Sequence, residues 1–167
     1  MSAAGDAPPA QPRGELRVVG TSVTREIERL LDQTAETSGK RAPRILQVGS
    51  RTVASDRNER NWRTLVAKRF GSHTRFVGID LLDGPNVDQV VDICGAPKAV
   101  LSRLGDEPFD LVICCHVLEH TRRPNQAARN IERILKPDGI AYVATPWSQA
   151  FHAAPDDYWR FSVRGLM

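Results

Sequence analysis

The sequence predicts an α/β fold with a doubly wound, mostly parallel sheet of about five strands, and three observations carry that expectation. From Arg44 onward, short apolar runs alternate with longer amphipathic stretches; the runs are Arg44–Val48, Phe76–Ile79, Val87–Val91, Phe109–Cys115 and Ile140–Ala144. Most of them are near-continuously apolar rather than alternating, as strands covered on both faces are. The stretches between carry apolar residues at helical spacing, and strand, helix and strand in alternation mean right-handed crossovers onto a parallel sheet.

The elements follow in order. Residues 1–14 are rich in Ala, Pro and Gly and bury too little apolar surface to order themselves, so a disordered leader is expected. Within residues 15–40 an amphipathic helix is expected. Val23, Ile27, Leu30, Leu31 and Ala35 fall on one face, Arg25, Glu26, Glu28, Arg29 and Asp32 on the other, and the helix ends near Gly39. Residues 41–167 form the main domain. Trp62, Leu65, Val66 and Phe70 stripe the helix after the first strand, with Trp62 read as core. Ala128, Ile131, Ile134 and Leu135 stripe the helix before the fifth strand. That helix stops at Lys136-Pro137-Asp138-Gly139, where proline and glycine turn the chain into the strand.

Composition bounds the function. With 167 residues, 41% apolar and 26% charged, the chain suits one buried core. A net charge of +3, carried mostly by dispersed arginines, is too mild to call for a nucleic-acid partner. Cys94, Cys114 and Cys115 fit neither a disulfide framework nor a CxxC zinc site. There is no signal-peptide pattern at the N-terminus and no apolar run near the ~20 residues of a membrane span. A reducing, cytoplasmic location is expected.

In an open parallel sheet, ligands bind beyond the carboxyl ends of the strands. Gly49-Ser50-Arg51 follows the first strand, Asp80 the second, Asp92 the third, His116-Val117-Leu118-Glu119-His120 the fourth and Thr145-Pro146-Trp147 the fifth. A carboxylate after the second strand suits a ribose, because it accepts two hydroxyl hydrogen bonds at once. One after the third could take an adenine amino group. A dinucleotide site is not indicated, because G-x-G-x-x-G is absent and Asp80 lies about 30 residues past Gly49 rather than about 20. An adenosine-containing cofactor without a pyrophosphate fits better.

Ile45-Leu46-Gln47-Val48-Gly49, Val77-Gly78-Ile79-Asp80, Val90-Val91-Asp92, Phe109-Asp110-Leu111-Val112, Val117-Leu118-Glu119-His120 and Leu135-Lys136-Pro137-Asp138-Gly139 stand in this order. The series closely resembles class I S-adenosylmethionine-dependent methyltransferases, over roughly residues 42–165. The resemblance implies S-adenosylmethionine as cofactor, held by Gly49, Ser50, Arg51, Asp80, Leu81, Asp92, Ile93 and His116. Gly49 would let the backbone approach the methionine part. Asp80 would hold the ribose, Asp92 with Ile93 would face the adenine, and the backbone near Cys115 and His116 would flank the sulfonium. The chain departs from the family pattern at Gln47, where an acid is usual, and at Arg51 and Val53, where glycines are. Gln47 removes a charge partner for the cofactor's amino group, and Arg51 could engage its carboxylate. Phe151-His152 and Pro155-Asp156-Asp157-Tyr158-Trp159-Arg160-Phe161 resemble a segment of methyltransferases acting in glycan or secondary-metabolite pathways.

The implied reaction is methyl transfer, with a hydroxyl of a small molecule or sugar as the first acceptor class and RNA or protein as the second. His152 is the candidate general base, since an imidazole near pKa ~6.5 accepts a hydroxyl proton near neutral pH. No metal is expected. The alternative is a divalent-ion cluster of His116, Glu119, His120 and His152, resembling that of small-RNA 2′-O-methyltransferases and ubiquinone-pathway O-methyltransferases, which carry an acid at the place of His116. Imidazoles with one carboxylate would favour Zn, Fe or Mn over Mg. Against the family's seven strands few residues follow Thr145, so the C-terminal hairpin is expected to be missing and Ile140–Ala144 to be an open edge that another chain could pair with. The competing function is therefore a non-catalytic or truncated methyltransferase-like domain acting as a binding subunit.

Overall fold

The computed structural model describes residues 23–39, 41–52, 62–71, 74–153 and 156–166. The expected leader, Val53 and Pro155 lie outside them. Five parallel strands form one sheet in the order β3-β2-β1-β4-β5, with β1 Arg44–Val48, β2 Arg75–Asp80, β3 Gln89–Val90, β4 Phe109–Cys115 and β5 Leu135–Ala144. The helices are α1 Val23–Ser38, α2 Trp62–Phe70, α3 Pro97–Leu104, α4 Pro124–Ile134 and α5 Val163–Leu166.

The central strands β1 and β4 are buried along their whole length, which is why they read as unbroken apolar runs. Their pleat divides the core in two. Leu46, Val48, Val112 and Cys114 face the layer of α3 and α4, while Ile45, Leu111, Ile113 and Cys115 face α1 and α2. Helices on opposite faces follow from winding outward in both directions with one crossover hand. Trp62 is core, as read.

Several elements differ from expectation, each for a local reason. Glu26, placed on the polar face of α1, is buried, and its carboxylate accepts from Arg29 Nε and Nη2 at 2.6–3.1 Å. On α4 the buried stripe is Ala127, Asn130, Ile131 and Ile134, and Ala128 is exposed. Asn130 donates from Nδ2 to the carbonyls of Ile93 (2.8 Å) and Gly95 (3.0 Å), so its burial is satisfied. The third strand is only two residues long. Ahead of it, the Asp88 side chain accepts the Gly78 N–H at 2.7 Å, taking a donor that a longer strand would use.

The fifth strand starts at Leu135, directly after α4. Phe109 pairs with Leu135 and Leu111 with Ile140, so residues 136–139 bulge out of register. A Cβ on Gly139 would lie 2.9 Å from the Phe109 carbonyl oxygen, so the bulge needs glycine there. Lys136 uses the bulge to reach Asp110, which also accepts from Arg41 and from the Arg44 N–H. Burial raises the Asp110 pKa, and these hydrogen bonds outweigh it, holding the carboxyl well below its ordinary range. Among the described residues β5 pairs only with β4 and forms the edge of the sheet.

Candidate cofactor and acceptor cleft

The chain winds away from β1 toward β3 on one side and through β4 toward β5 on the other. The connections therefore diverge beyond the carboxyl ends of β1 and β4 and leave a crevice. A cleft of about 690 Å³ occupies it, within the usual size of small-molecule sites. The structure brings Gly49, Ser50, Arg51, Asp80, Leu81, Asp92, Ile93, His116 and His152 to its lining, with Cys115, His120 and Tyr158.

The turn after β1 is built by geometry only glycine meets. Gly49 has φ +72°, and a Cβ there would lie 2.4 Å from Val117 Cγ2. The N–H groups of Gly49 and Ser50 both donate to the Ile79 carbonyl at 2.9 and 3.0 Å, pinning the turn to the end of β2. Ser50 Oγ is buried in the cleft wall with no hydrogen-bond partner among the described residues.

Asp80 accepts the N–H of Arg51 on Oδ2 (3.2 Å) and of Leu82 on Oδ1 (3.1 Å). A carboxylate offers about four lone-pair positions, so roughly two remain for a ligand. Asp92 accepts the Cys94 N–H at 2.8 Å. Both aspartates thus form turns through the residue two positions on, and both still face the cleft. Asn130 fixes the backbone after Asp92 from below. Gln47 does not line the cleft; its Oε1 accepts the Trp62 N–H at 3.2 Å and caps α2. Arg51 Nε stands 4.0 Å from Asp80 Oδ1.

The opposite wall is made of imidazoles. His116 follows β4 with φ +55°, a conformation rare outside glycine and costing about 1–2 kcal/mol. Its ring approaches the carboxylate of Glu119, which sits in the single turn Leu118–His120 at 0% exposure. The approach, 3.2 Å from Nδ1 to Oε1, makes no hydrogen bond, and neither Glu119 carboxylate oxygen has a hydrogen-bond partner among the described residues. The returning segment closes over this turn, with the Tyr158 N–H donating to the Glu119 carbonyl at 2.7 Å. It carries His152 edge-on to His120, ring centroids 4.9 Å apart.

A clamp that the sequence did not announce sets His152. Arg160 donates to both oxygens of Asp157 (2.5 and 2.7 Å) and to the Gln149 carbonyl, and Asp157 accepts the His152 N–H at 3.0 Å. The Arg160 guanidinium, with the His152 N–H, holds the Asp157 carboxyl well below its usual range. Trp147, Phe151, Tyr158 and Trp159 are exposed on the same segment.

The sheet and its switch-point cleft define a Rossmann-like α/β domain. Its family is the methyltransferase domain family, whose model matches residues 37–143, and the chain belongs to it. The ubiquinone biosynthesis O-methyltransferase of Caulobacter vibrioides is 30% identical over 101 residues, which is 60% of this chain and 34% of that protein. The chain therefore spans about a third of the curated relative it matches. The crystal structure of the trans-methyltransferase CalH in complex with SAH is similar in fold, with a TM-score of 0.50 and 20% identity, over 71% of this chain and 35% of that one. No described helix is long and apolar enough to cross a membrane.

Proposed function

We propose that this domain binds S-adenosylmethionine and serves methyl transfer to an oxygen of a small molecule or sugar. The observation that carries the reading is the convergence, in one cleft, of the Gly49 turn, two strand-end carboxylates and a histidine wall. The residues fit the cofactor on the structure's own terms. Asp80 keeps acceptor capacity for two ribose hydroxyls, Ser50 Oγ lacks a hydrogen-bond partner among the described residues, and the Gly49 turn lines the cleft at the end of β1.

When bound, the cofactor supplies an activated methyl, transferred in line as its C–S bond breaks and the acceptor's C–O bond forms, so no nucleophilic side chain is needed. The chain aligns and dries the site. Asp80 would hold the ribose end, Asp92 with Ile93 the adenine end, and Gly49, Ser50 and Arg51 the methionine end, with Leu81 and His116 also lining the cofactor's cleft. The acceptor hydroxyl would come against His116, His120 and His152, with His152 taking its proton as general base and Tyr158 lining the same end of the cleft.

Titration calorimetry tests the reading. The wild-type chain is expected to bind S-adenosylmethionine. Asp80→Ala is expected to lose about 1–3 kcal/mol of binding, roughly 5- to 150-fold, as deletion of a charged acceptor does. No heat at millimolar cofactor overturns the proposal, and an unchanged affinity in the variant overturns the ribose assignment. Among the described residues β5 pairs only with β4, which supports pairing of that edge with a further strand. Three cysteines that form no disulfide support a reducing, cytoplasmic location.

A further inference from the structure

We infer that Asp157 and Arg160 are positioning residues of this cleft. Together they hold His152 as a neutral imidazole with its proton on Nδ1 and the lone pair of Nε2 left for the acceptor hydroxyl. Their purpose rests on the methyl-transfer reading, while the device itself is read from side chains.

His152 Nδ1 stands between two oxygens. It hydrogen-bonds the Ala150 carbonyl at 3.3 Å and lies 3.2 Å from Asp157 Oδ2. A ring nitrogen beside a carbonyl and a carboxylate oxygen is held there by donating, so Nδ1 carries the proton and Nε2 keeps its lone pair. The His152 backbone N–H donates to the same Asp157 oxygen at 3.0 Å, so one atom fixes both the loop and the ring. The Asp157 side chain is 2% exposed, and water does not compete for it.

Arg160 sets the charge. Its Nη2 donates to the same two oxygens, Asp157 Oδ2 at 2.7 Å and the Ala150 carbonyl at 3.2 Å, and its Nη1 donates to Asp157 Oδ1 at 2.5 Å. This fork keeps the Asp157 carboxyl ionised, an acceptor and never a donor toward His152. A guanidinium does not lose its proton, so the negative charge of Asp157 is already matched by a permanent positive one. A buried carboxylate alone beside an imidazole favours the imidazolium. With Arg160 in place, a second proton on His152 would set two cations against the same pair of oxygens, and the ring stays neutral.

The other titratable groups facing the ring leave this balance in place. A Glu119 oxygen lies within 4.8 Å of a His152 nitrogen, but His116 Nδ1 approaches that carboxylate at 3.2 Å and is its closer partner. His120, edge-on to His152, has its own Nδ1 2.6 Å from the Asp156 carbonyl oxygen. In methyl transfer, Nε2 takes the hydroxyl proton as the acceptor oxygen bonds the methyl carbon and the C–S electron pair leaves with sulfur. Asp157 stabilises the imidazolium while it lasts, and Nε2 then returns the proton to solvent. Asp157 and Arg160 keep their own charges throughout.

The test reads the ring nitrogens directly, by imidazole nitrogen NMR on the isotope-labelled full chain at about pH 7. Wild-type His152 should show one neutral species, protonated on Nδ1 only. In Asp157→Ala the ratio of the Nδ1–H to the Nε2–H form should fall by about tenfold or more, as loss of a charged hydrogen-bond acceptor does. In Arg160→Gln, which keeps a donor but no charge, His152 should gain a second proton. Asp156→Ala is the control, since that carboxylate bonds the Asp157 N–H rather than the His152 ring, and its His152 signals should match wild type. Thermal melts establish that each variant is folded. The wild-type spectrum needs no variant: an Nε2–H form, an even mixture or an imidazolium there overturns the inference. So does an unchanged ratio in folded Asp157→Ala, a neutral ring in folded Arg160→Gln, or mixed tautomers in Asp156→Ala. S-adenosylmethionine calorimetry on the same samples separates the two readings. Cofactor binding with a wrongly protonated His152 would sink the positioning role and leave the proposed function standing. An Nδ1-protonated His152 without cofactor binding would do the reverse.

Discussion

Gly49→Ala, compared with Gly71→Ala, isolates the contact that joins the cofactor turn to the histidine wall. Both glycines have φ +72°, so alanine pays the same left-handed penalty of about 1–2 kcal/mol at each. They differ in what a Cβ meets. At Gly71 there is nothing within 4 Å, whereas at Gly49 the new atom would lie 2.4 Å from Val117 Cγ2. Val117 immediately precedes the Leu118–His120 turn, so relief means rotating its side chain off a preferred rotamer, about 0.5–1.5 kcal/mol. Gly49→Ala should therefore be less stable than Gly71→Ala by about 1 kcal/mol, a melting difference of roughly 2–4 °C at this chain length. In the double variant Gly49→Ala/Val117→Ala the offending methyl is gone and only Val117 Cβ, at 3.8 Å, would have been near. A double-mutant cycle should thus return a favourable coupling of about 1 kcal/mol. Melts of five proteins, wild type, Gly49→Ala, Gly71→Ala, Val117→Ala and the double variant, decide it. Equal melting points for the two glycine variants, or a coupling near zero, would refute the reasoning.

Two further predictions concern charge. Asp110→Asn should destabilise the chain by about 2 kcal/mol at pH 7, the contribution of the half-exposed Arg41 being discounted for solvent screening. Because the folded Asp110 pKa is depressed, its contribution is present above the unfolded value near ~3.9 and fades as pH falls below it. Urea midpoints should accordingly show the wild-type advantage narrowing from pH 7 to pH 3, and an advantage that holds or widens would rule the assignment out. Tyr142 is pushed up to about 12 by burial, with smaller effects from the charges of Cys115 and Glu26. The folded state then holds its proton more tightly than the unfolded one, so stability falls as pH rises above about 10. Tyr142→Phe should lose about 1 kcal/mol less than wild type between pH 9 and pH 11, and parallel stability curves would count against that assignment.

How much of this was legible depended on whether one residue's chemistry was enough to place it. The unbroken apolar runs of β1 and β4 announce strands covered on both faces, and Gly49, Asp80 and Asp92 announce a switch-point site because strand ends are fixed by the strands. Elements decided by a partner far along the chain were not legible. Asn130 is buried because it reaches the carbonyls of Ile93 and Gly95, and a polar residue at that position gives no sign of it. Asp110 stands within a family-like motif, yet it serves the amino end of the sheet through Arg41 and Lys136 rather than the cleft.

The histidine wall is the sharpest instance, and it shows what spacing can and cannot say. His116, Glu119 and His120 are close in sequence and His152 was expected beside them, so the grouping was readable, but its contacts were not. His116 adopts a left-handed conformation, with its amide donating to the Ala144 carbonyl at 2.8 Å, and its Nδ1 stands 3.2 Å from the Glu119 carboxylate. His152 comes from more than thirty residues away and is set by Asp157 and Arg160, a pair that in sequence looks like ordinary surface charge. The strain at His116 and the unsatisfied carboxylate of Glu119 both fall at the end of β4, where the cofactor and acceptor would meet. Unfavourable local terms persist where the surrounding structure enforces them, and two of them side by side mark this end of the cleft as shaped for a bound group rather than for stability.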